Sequence, residues 1–310
     1  MKVLQLTCLF ALLFSFSACD DDDDTIDIFD RDEPNGVVGL NYVEAENGDF
    51  STIYNNVINA LNGVDAIGIV AEVDHASNAA NAGLTLQPTK VIMFGNPMLG
   101  TPLMQANQRA GLDLPQKMLV YQAADDDIIL AYNNTQYLGR RHGVENVATL
   151  AQIGDALGNF AMMAGDDNVV NANDNDVRLN EGIVLVSTEL SVDTVYNRLI
   201  AAIDGNPNVN VIAELDHQAN AARVNLDLRP TKLVVFGNPA LGTPLMQDER
   251  SIAIDLPQKM LIYQDADGTT KLIYNDPAYL ADRHDVDDDL AQIATITMAL
   301  QNFAAAATTN

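Results

Sequence analysis

The chain repeats itself at a distance of 142 residues, without a gap over residues 51–142. Between Gln87–His142 and Arg229–His284, 32 of 56 positions are identical. Solenoid proteins repeat every ~20–50 residues, so a period this long indicates two whole domains of one fold. The length of 310 residues agrees with two domains of ordinary size.

The repeat also places the domain boundaries. We assign residues 36–164 to a first copy and residues 181–310 to a second copy. Residues 165–180 between them are rich in Asp, Asn and Gly and poor in apolar side chains, which is typical of a linker. The segments 1–18 and 19–35 precede the first copy and differ from it in composition.

Hydrophobic periodicity predicts the same secondary structure in both copies. Ser51 and Asp193 occupy the positions at which we expect the N-caps of the first helices. The order β-α-β4-α predicts an α+β fold, with the helices packed on one face of an antiparallel sheet. In the first copy the predicted elements are a strand over 37–44, a helix over 51–61, strands over 66–75 and 90–94, a short helix after Thr101-Pro102, a hairpin over 116–132, and helices over 135–141 and 147–163.

The charge balance limits the partners of the folded body. With 43 acidic and 16 basic residues the formal net charge is −27. Nucleic-acid binding needs a surface of Lys and Arg that neutralises phosphates, so this balance argues against a nucleic-acid partner. It also disfavours contact with anionic lipid headgroups through the folded domains.

The N-terminal segment has the pattern of a secretory signal peptide, residues 1–18, with Lys2 followed by a short apolar run. Phe16-Ser17-Ala18-Cys19 resembles a bacterial lipobox, which implies cleavage before Cys19 and acylation of that residue. The five aspartates of 20–24 begin an acidic, disordered tether, residues 19–35. We therefore expect an outer-membrane lipoprotein of the cell envelope, periplasmic or surface-exposed, that contacts the membrane through its lipid. The alternative is an ordinary secretory signal with a chance cysteine.

The four histidines occupy two equivalent positions, one pair at His75 and His217 and the other at His142 and His284. Alternation along the strand before His75 places its side chain on the apolar, helix-covered face of the sheet. One interpretation is a hydrogen-bonded residue at the edge of the core. The other is a pocket residue beside His142 or His284 that binds a ligand or metal, or moves protons.

Four further residue types repeat at equivalent positions of the two copies: Tyr, Arg, Asn and Lys, the last of which could line a pocket or lie at a strand edge. Tyr137 and Arg141 are four residues apart, as are Tyr279 and Arg283, so each pair shares a helix face. With the nearby histidine such a pair could grip an anion. Alternatively, the arginine caps the C-terminus of the helix or stacks on the tyrosine. The Phe-Gly-Asn-Pro turns could present backbone N–H groups to an anion or simply end a strand. The candidate ligand-binding residues are Lys90, Asn96, Tyr137, Arg141, His75 and His142 in the first copy, and Lys232, Asn238, Tyr279, Arg283, His217 and His284 in the second.

Several of these blocks occur together in one known family. Asp-His, then Pro-Thr-Lys, Phe-Gly-Asn-Pro-x-x-Gly-Thr-x-Leu-Met, Asp-Leu-Pro-x-Lys and Tyr-x-x-Tyr-Leu-x-x-Arg-His follow in this order. The succession resembles the bacterial domain-of-unknown-function family 302, in two tandem copies over 36–164 and 181–305. The resemblance implies a fold of the TATA-binding-protein-like group and single-domain members that dimerise. The two copies would then pack as a dimer-like pair. The resemblance implies no activity.

Catalytic and metal motifs are weak. Neither His-x-x-x-His nor Gly-x-Ser-x-Gly occurs, and Asn171–Glu181 lacks the glycine of a calcium loop. Cys8 lies in the signal and Cys19 at its end, so the mature domains carry no thiol for a disulfide or a cysteine metal site. We assign no catalytic residue and no metal, and the cofactor is unknown.

The leading hypothesis is a non-catalytic module that binds a small molecule or a partner. One alternative is an enzyme that uses the paired His, Arg and Tyr residues for acid–base chemistry on a small substrate. The other is a structural spacer at the cell surface.

Overall fold

The structure, a computed structural model, describes residues 34, 36–45, 48–124, 126–173 and 175–309. The predicted signal peptide, Cys19 and all of the tether except residue 34 lie outside these residues. Within the described ranges, the helices are too short or too polar to cross a membrane.

Each copy forms a five-stranded antiparallel sheet with helices. The first copy consists of β1 (Leu40–Ala45), α1 (Phe50–Asn62), β2 (Gly68–Asp74), α2 (His75–Asn81), β3 (Thr89–Gly95), α3 (Pro97–Ala106), a 3-10 helix (Gln108–Leu112), β4 (Gln116–Gln122), β5 (Ile128–Asn133), α4 (Thr135–His142) and α5 (Thr149–Gly165). The second copy consists of β6 (Ile183–Thr188), α6 (Val192–Asp204), β7 (Asn210–Asp216), α7 (His217–Arg223), β8 (Thr231–Gly237), α8 (Pro239–Asp248), a 3-10 helix (Arg250–Ile254), β9 (Gln258–Gln264), β10 (Thr270–Asn275), α9 (Pro277–Arg283) and α10 (Ala291–Thr308).

The strand orders are β1-β5-β4-β3-β2 and β6-β10-β9-β8-β7, with antiparallel pairing. The predicted α+β class and the two tandem domains are therefore confirmed.

The two faces of the first sheet have different neighbours. On one face Ile92 and Phe94 pack with helices α1 and α5, and the ring of Phe94 meets that of Phe160 edge to face at 6.2 Å. On the other face Val91 and Met93 belong to a core that continues into the second copy. There the 3-10 helix Arg250–Ile254 lies against β3, β4 and β5. Each sheet is thus covered by its own helices on one side and by the other copy on the other.

The sequence located the first helices correctly but not their caps. Helix α1 is capped by Asp49, whose side chain accepts a hydrogen bond from the Thr52 N–H, rather than by Ser51. Helix α6 is capped by Ser191 rather than by Asp193, which lies in its first turn. A carboxylate or hydroxyl three residues before a free helical N–H makes the better cap, and both residues have that position.

Two further boundaries differ from the prediction. Helix α3 starts at Pro97, four residues before the predicted Thr101-Pro102, so Pro102 lies inside the helix. The predicted strand up to His75 ends at Asp74, where a short helix begins. The Asp74 carboxylate accepts a hydrogen bond of 2.8 Å from the Ser77 N–H, which ends the strand and turns the chain.

Candidate functional site

Two cavities lie where the copies meet, and each is lined by both copies. The first has a volume of about 150 Å³. The second copy supplies most of its wall, including Asn238 after β8 and Phe303 of α10, while the first copy supplies His75 and Asn78. The wall is mostly apolar. This cavity therefore exists only when the two copies are packed together.

The second cavity is the counterpart of the first, with the roles of the copies exchanged. Its volume is about 320 Å³. The first copy supplies Asn96 and Phe160, and the second copy supplies His217, Asn220 and Arg223. The equivalent residues Asn78 and Asn220 follow their histidines by three positions, so each lies on the same helix face as its histidine.

His75 is buried and directed at the other copy. It is the first residue of α2, and only 5% of its surface is exposed. One ring nitrogen interacts with the backbone of Ala253 and Leu256 in the second copy, while Nε2 has no partner among the described residues. Burial lowers the pKa of His75 to about 4, so the ring is neutral at pH 7. The predicted orientation toward the helices of its own copy is wrong, because the strand ends before the histidine.

His217 has the same arrangement. It begins α7, its ring interacts with the backbone of Gly111 in the first copy, and its Nε2 has no described partner. Burial lowers its pKa to about 4. A Cβ on Gly111 would lie 3.1 Å from Leu261, which shows how closely the two copies approach at this point. The backbone contact raises the pKa of both rings, as a carbonyl acceptor does, so the tautomer that fits it has the proton on Nδ1 and a lone pair on Nε2.

Buried polar atoms without a partner concentrate at the two cavities. Native proteins leave few such atoms, and each one needs an explanation. The first cavity contains His75 and Thr243, and the second contains His217 and Gln116. Four of the five such side-chain atoms in the described part of the chain belong to these residues: His75 Nε2, Thr243 Oγ1, His217 Nε2 and Gln116 Nε2, with His142 Nδ1 as the fifth.

The asparagines of the Phe-Gly-Asn-Pro turns line the cavities but are occupied as helix caps. The Asn96 side chain accepts a hydrogen bond of 3.0 Å from the Met98 N–H, and Asn238 does the same with the Ala240 N–H. Each cap uses one of the free N–H groups of the helix N-terminus. These turns therefore lie at the cavity walls. Helix capping accounts for the asparagine at both positions, so a bound anion is not needed to explain it.

The Tyr, Arg and second His candidates lie in a buried network between the copies. Asp113 accepts hydrogen bonds from Arg141 at 2.7 Å and pairs with His142 Nε2 at 2.8 Å, both in its own copy. Lys259 of the second copy approaches the same carboxylate to 3.2 Å. Burial opposes ionisation of Asp113, but these neighbours, Arg141 first, hold its pKa well below the usual range.

A mirrored network surrounds Asp255. Arg283 pairs with it at 2.6 Å, His284 Nε2 lies at 3.2 Å, and Lys117 of the first copy lies at 3.6 Å. Burial and the nearby Lys259 lower the pKa of Lys117 to about 7. The anion that these arginines grip is thus an aspartate of the protein itself.

Two tyrosines join the networks at the centre of the interface. The hydroxyls of Tyr137 and Tyr279 are 3.2 Å apart, and the Arg283 guanidinium lies 4.0 Å from the centre of the Tyr137 ring. The Arg141 guanidinium lies 5.2 Å from the Tyr279 ring. The Arg141 guanidinium also lies 5.6 Å from the ring of Tyr137 on its own helix, which is the stacking considered for this pair, and the carboxylate that it binds is that of Asp113.

A serine and a histidine do meet in the second network. Ser251 Oγ lies 2.8 Å from His284 Nδ1, and His284 Nε2 faces Asp255, which gives a Ser–His–Asp sequence of contacts. All three side chains are buried, and neither cavity reaches them. The equivalent of Ser251 in the first copy is Arg109. A nucleophile must reach its substrate, so these contacts do not make a hydrolase site.

Lys90 and Lys232 lie away from both cavities. Lys90 pairs with Asp74 at 3.2 Å and lies over the Tyr54 ring at 4.7 Å. Lys232 lies 3.0 Å from Asp193 and 4.7 Å from the centre of the Tyr196 ring. These lysines hold the partly exposed edge of each sheet to its first helix.

Sequence reasoning missed the residues that organise the interface. Asp113 and Lys117 recur as Asp255 and Lys259 in an identical Asp-Leu-Pro-Gln-Lys block, so identity between the copies could have found them. Arg223 could not be found in that way, because its equivalent is Asn81. No pattern in the sequence could indicate that each cavity takes its histidine from the other copy.

This architecture defines a class of protein: two tandem α+β domains that share two cavities across one interface. The chain belongs to the family described as domain of unknown function DUF302, whose model matches residues 42–160 and 184–305. The family resemblance predicted from the sequence is confirmed. A crystal structure of an uncharacterized conserved DUF302 protein from Bacillus stearothermophilus is similar, with 19% identity, a TM-score of 0.37, and coverage of 41% of this chain and 98% of that chain.

The chain is also similar to curated proteins that are named as fluoride-specific ion channels. The fluoride-specific ion channel FluC 1 of Brucella suis biovar 1 (strain 1330) is 41% identical over 121 residues, which are 38% of this chain and 47% of that protein. FluC 1 of Brucella abortus biovar 1 (strain 9-941) is 41% identical over 121 residues, which are 38% of this chain and 44% of that protein. The chain spans less than half the length of these relatives, so the match does not assign their activity to it.

Proposed function

We propose that the chain is a non-catalytic binding module with two sites for small, mostly apolar molecules that carry a hydroxyl group. The observation behind this proposal is the unpartnered Nε2 of His75 and of His217 in the walls of the two cavities. A buried polar atom without a partner costs ~1–3 kcal/mol, which a ligand that supplies the missing hydrogen bond recovers.

The ligand must donate a hydrogen bond. With Nδ1 protonated against a backbone carbonyl, the neutral ring of His75 can only accept at Nε2. Thr243 Oγ1 in the same cavity lacks a partner and can donate to the ligand's oxygen. An alcohol or phenol offers what both groups lack, since its O–H can donate to Nε2 and its oxygen can accept from Thr243.

The size and polarity of the first cavity also favour a small ring. Apolar cavities of ~150 Å³ in other proteins stay dry and bind benzene, and this cavity has about that volume. Small-ligand sites are typically apolar pockets with a few polar groups. Phenol is therefore a suitable probe.

The distribution of titratable groups supports binding rather than catalysis. The enzyme alternative pairs His75 with His142 or His284 as acid and base. Among the described residues, however, His142 and His284 line neither cavity and are held by Asp113 and Asp255. Each cavity thus has one histidine and no second acid–base group of this kind.

The test compares phenol with anisole, which has the same ring but cannot donate. We expect calorimetry on the mature chain to show saturable phenol binding at two sites and at least ~5-fold weaker binding of anisole. The variants His75→Phe and His217→Phe keep an aromatic ring but remove the lone pair, and each should abolish one phenol site. Equal binding of phenol and anisole, or no saturable binding of either, would contradict the proposal.

We further propose that Cys19 carries lipid and anchors the module in the cell envelope. Support comes from Phe16-Ser17-Ala18-Cys19 and the aspartates that follow. The check is mass spectrometry of the N-terminal peptide from membranes. A diacylated or triacylated Cys19, lost in Cys19→Ser together with membrane association, is the expected result, and an unmodified Cys19 in a soluble chain is the contrary one.

A further inference from the structure

We propose that the second cavity, and not the first, selects an aromatic or alkyl molecule with a hydroxyl at one end and a carboxylate at the other. This inference rests on the proposed binding function and adds a ligand class to one of its two sites. The observations behind it are Arg223, Gln116 and the spacing of His217 and Arg223 along one helix.

Arg223 places a cation at the wall of the second cavity. It is exposed, and its side chain donates a hydrogen bond of 3.2 Å to Asn220, which also lines the cavity. Within the described residues no carboxylate lies within ion-pair distance of Arg223. In a chain of net charge −27, a guanidinium without an acidic partner is available for an anion from outside.

Among the described residues, no such cation lines the first cavity. The position equivalent to Arg223 is Asn81, which does not line the first cavity. The two cavities are otherwise built from equivalent segments. The two cavities of one chain can therefore be compared with each other, because Arg223 lines the second and no described Lys or Arg lines the first.

Gln116, which the first copy supplies, adds a second donor to the lining of the second cavity. Its side-chain amide Nε2 is buried, has no partner among the described residues and belongs to a residue that lines the second cavity. The equivalent Gln258 also lines its cavity, but its amide is not among the unpartnered atoms. An amide N–H and a guanidinium in one cavity together favour a carboxylate, which only accepts hydrogen bonds.

The hydroxyl and the carboxylate would be held at opposite ends of α7. His217 is the first residue of this helix and Arg223 the last. Six residues of α-helix rise about 9 Å. An aromatic ring with a para hydroxyl and a three-carbon acid spans a similar length.

The body of the ligand would pack on an apolar wall. Phe94, Leu157 and Phe160 of the first copy line the same cavity as His217 and Arg223. The volume of about 320 Å³ is roughly twice that of the first cavity, so it accommodates a ring with a side chain.

The experiment uses 3-(4-hydroxyphenyl)propionate as the acid probe and 3-(4-hydroxyphenyl)propan-1-ol as its neutral match. We expect calorimetry on the mature chain to show one acid site per chain, at least ~10-fold tighter than the neutral probe at that site. Arg223→Asn, which installs the residue of the first copy, should remove most of this preference and weaken the neutral probe much less than the acid, because the alcohol accepts one hydrogen bond from the guanidinium but carries no charge. The reciprocal variant Asn81→Arg tests whether the charge alone can move the preference to the first cavity.

The outcomes separate this inference from the proposed function. If phenol and the neutral probe bind normally but the acid binds no more tightly, the inference is overturned and the binding function stays intact. The same holds if the acid is preferred but Arg223→Asn does not change that preference. No saturable binding of phenol or of either probe would overturn both. A preference for the acid that is lost in Arg223→Asn and in His217→Phe supports the inference as stated, because both ends of the ligand are then required.

Discussion

Lys117 of the first copy forms an ion pair with Asp255 of the second, with 3.6 Å between Nζ and Oδ1 and both side chains almost fully buried. Its counterpart, Lys259 with Asp113, spans 3.2 Å and is equally buried. Each aspartate also holds an arginine and a histidine of its own copy. The interface between the copies is thus organised around two buried carboxylates. Each one pairs with an arginine of its own copy and with a lysine of the other copy.

These carboxylates should matter more to stability than the lysines that reach them. Asp255→Asn leaves Arg283 as a buried cation without its anion and removes a carboxylate that raises the pKa of Lys117, and breaking such a buried pair costs ~3–5 kcal/mol. Lys117→Met leaves Asp255 still paired with Arg283, so its cost should be about 2 kcal/mol or less. Urea unfolding curves of both variants check this order. Equal losses would mean that the lysine, not the arginine, is the main partner of the carboxylate.

The tyrosines at the centre of the interface impose a close approach at Gly39. A Cβ at this position would lie 2.4 Å from the Tyr137 Cβ, and φ is +73°. Gly83 has nearly the same φ, +75°, but nothing lies within 4 Å of its Cβ position. Gly83→Ala should therefore cost only the backbone strain, ~1–2 kcal/mol. Gly39→Ala should cost at least ~2 kcal/mol more.

Thermal or urea unfolding gives the free energy of unfolding of both glycine variants. The difference between the two values measures the cost of the contact with Tyr137 separately from the cost of backbone strain. Similar losses for Gly39→Ala and Gly83→Ala would show that Tyr137 can move away without cost. That result would argue against tight packing at the centre of the interface.

The fold was predictable because its signals are local and occur twice. Alternation of apolar and polar residues predicted the strands, and apolar residues at helical spacing predicted the long helices. The repeat predicted the number of domains. The short helix at His75 was missed since a strand leading into a capped helix has the same alternation as a longer strand. Its signal was Asp74, an N-cap residue directly before the histidine.

The sequence singled out candidate residues but could not predict which of them lie together. His75 and Arg141 both recur in the second copy, so the sequence placed them in one pocket. The structure instead separates them, with His75 at a cavity wall and Arg141 on Asp113. Which copy supplies each wall depends on the packing of two domains, and periodicity within a single strand or helix carries no information about that packing.

Buried neutral histidines should make the protein acid-sensitive. Burial lowers the pKa of His75 and of His217 to about 4, whereas an unfolded histidine titrates near 6.5. Between pH 6.5 and pH 4 the unfolded chain binds protons that the folded chain does not, so the free energy of unfolding falls as the pH is lowered through this window. Each histidine should contribute on the order of 3 kcal/mol to that fall.

The measurement is the pH dependence of the urea midpoint between pH 4.5 and 7. The double variant His75→Phe, His217→Phe should show a shallower dependence, because two of the proton-binding groups of the unfolded state are gone. An unchanged slope in the double variant would show that these rings become protonated in the folded state without penalty.

Thr243 offers a direct test of whether a polar group is kept for binding at the expense of stability. Its hydroxyl is buried, lacks a partner and belongs to a residue that lines the first cavity. Thr243→Val replaces that hydroxyl with a methyl group of similar size, which removes an unsatisfied group from an apolar wall. We expect the ligand-free protein to gain ~1 kcal/mol of stability and its first site to bind phenol ~5–10-fold more weakly.

The equivalent residue in the first copy, Thr101, provides the control. It is also buried, but its hydroxyl is not among the atoms without a partner. Thr101→Val should therefore give no such gain in stability and should leave phenol binding at the first cavity unchanged. If Thr243→Val lowers stability as much as Thr101→Val, the Thr243 hydroxyl has a partner in solution, such as a bound water. The first cavity would then hold a hydrated wall rather than a vacant hydrogen-bonding site for a ligand.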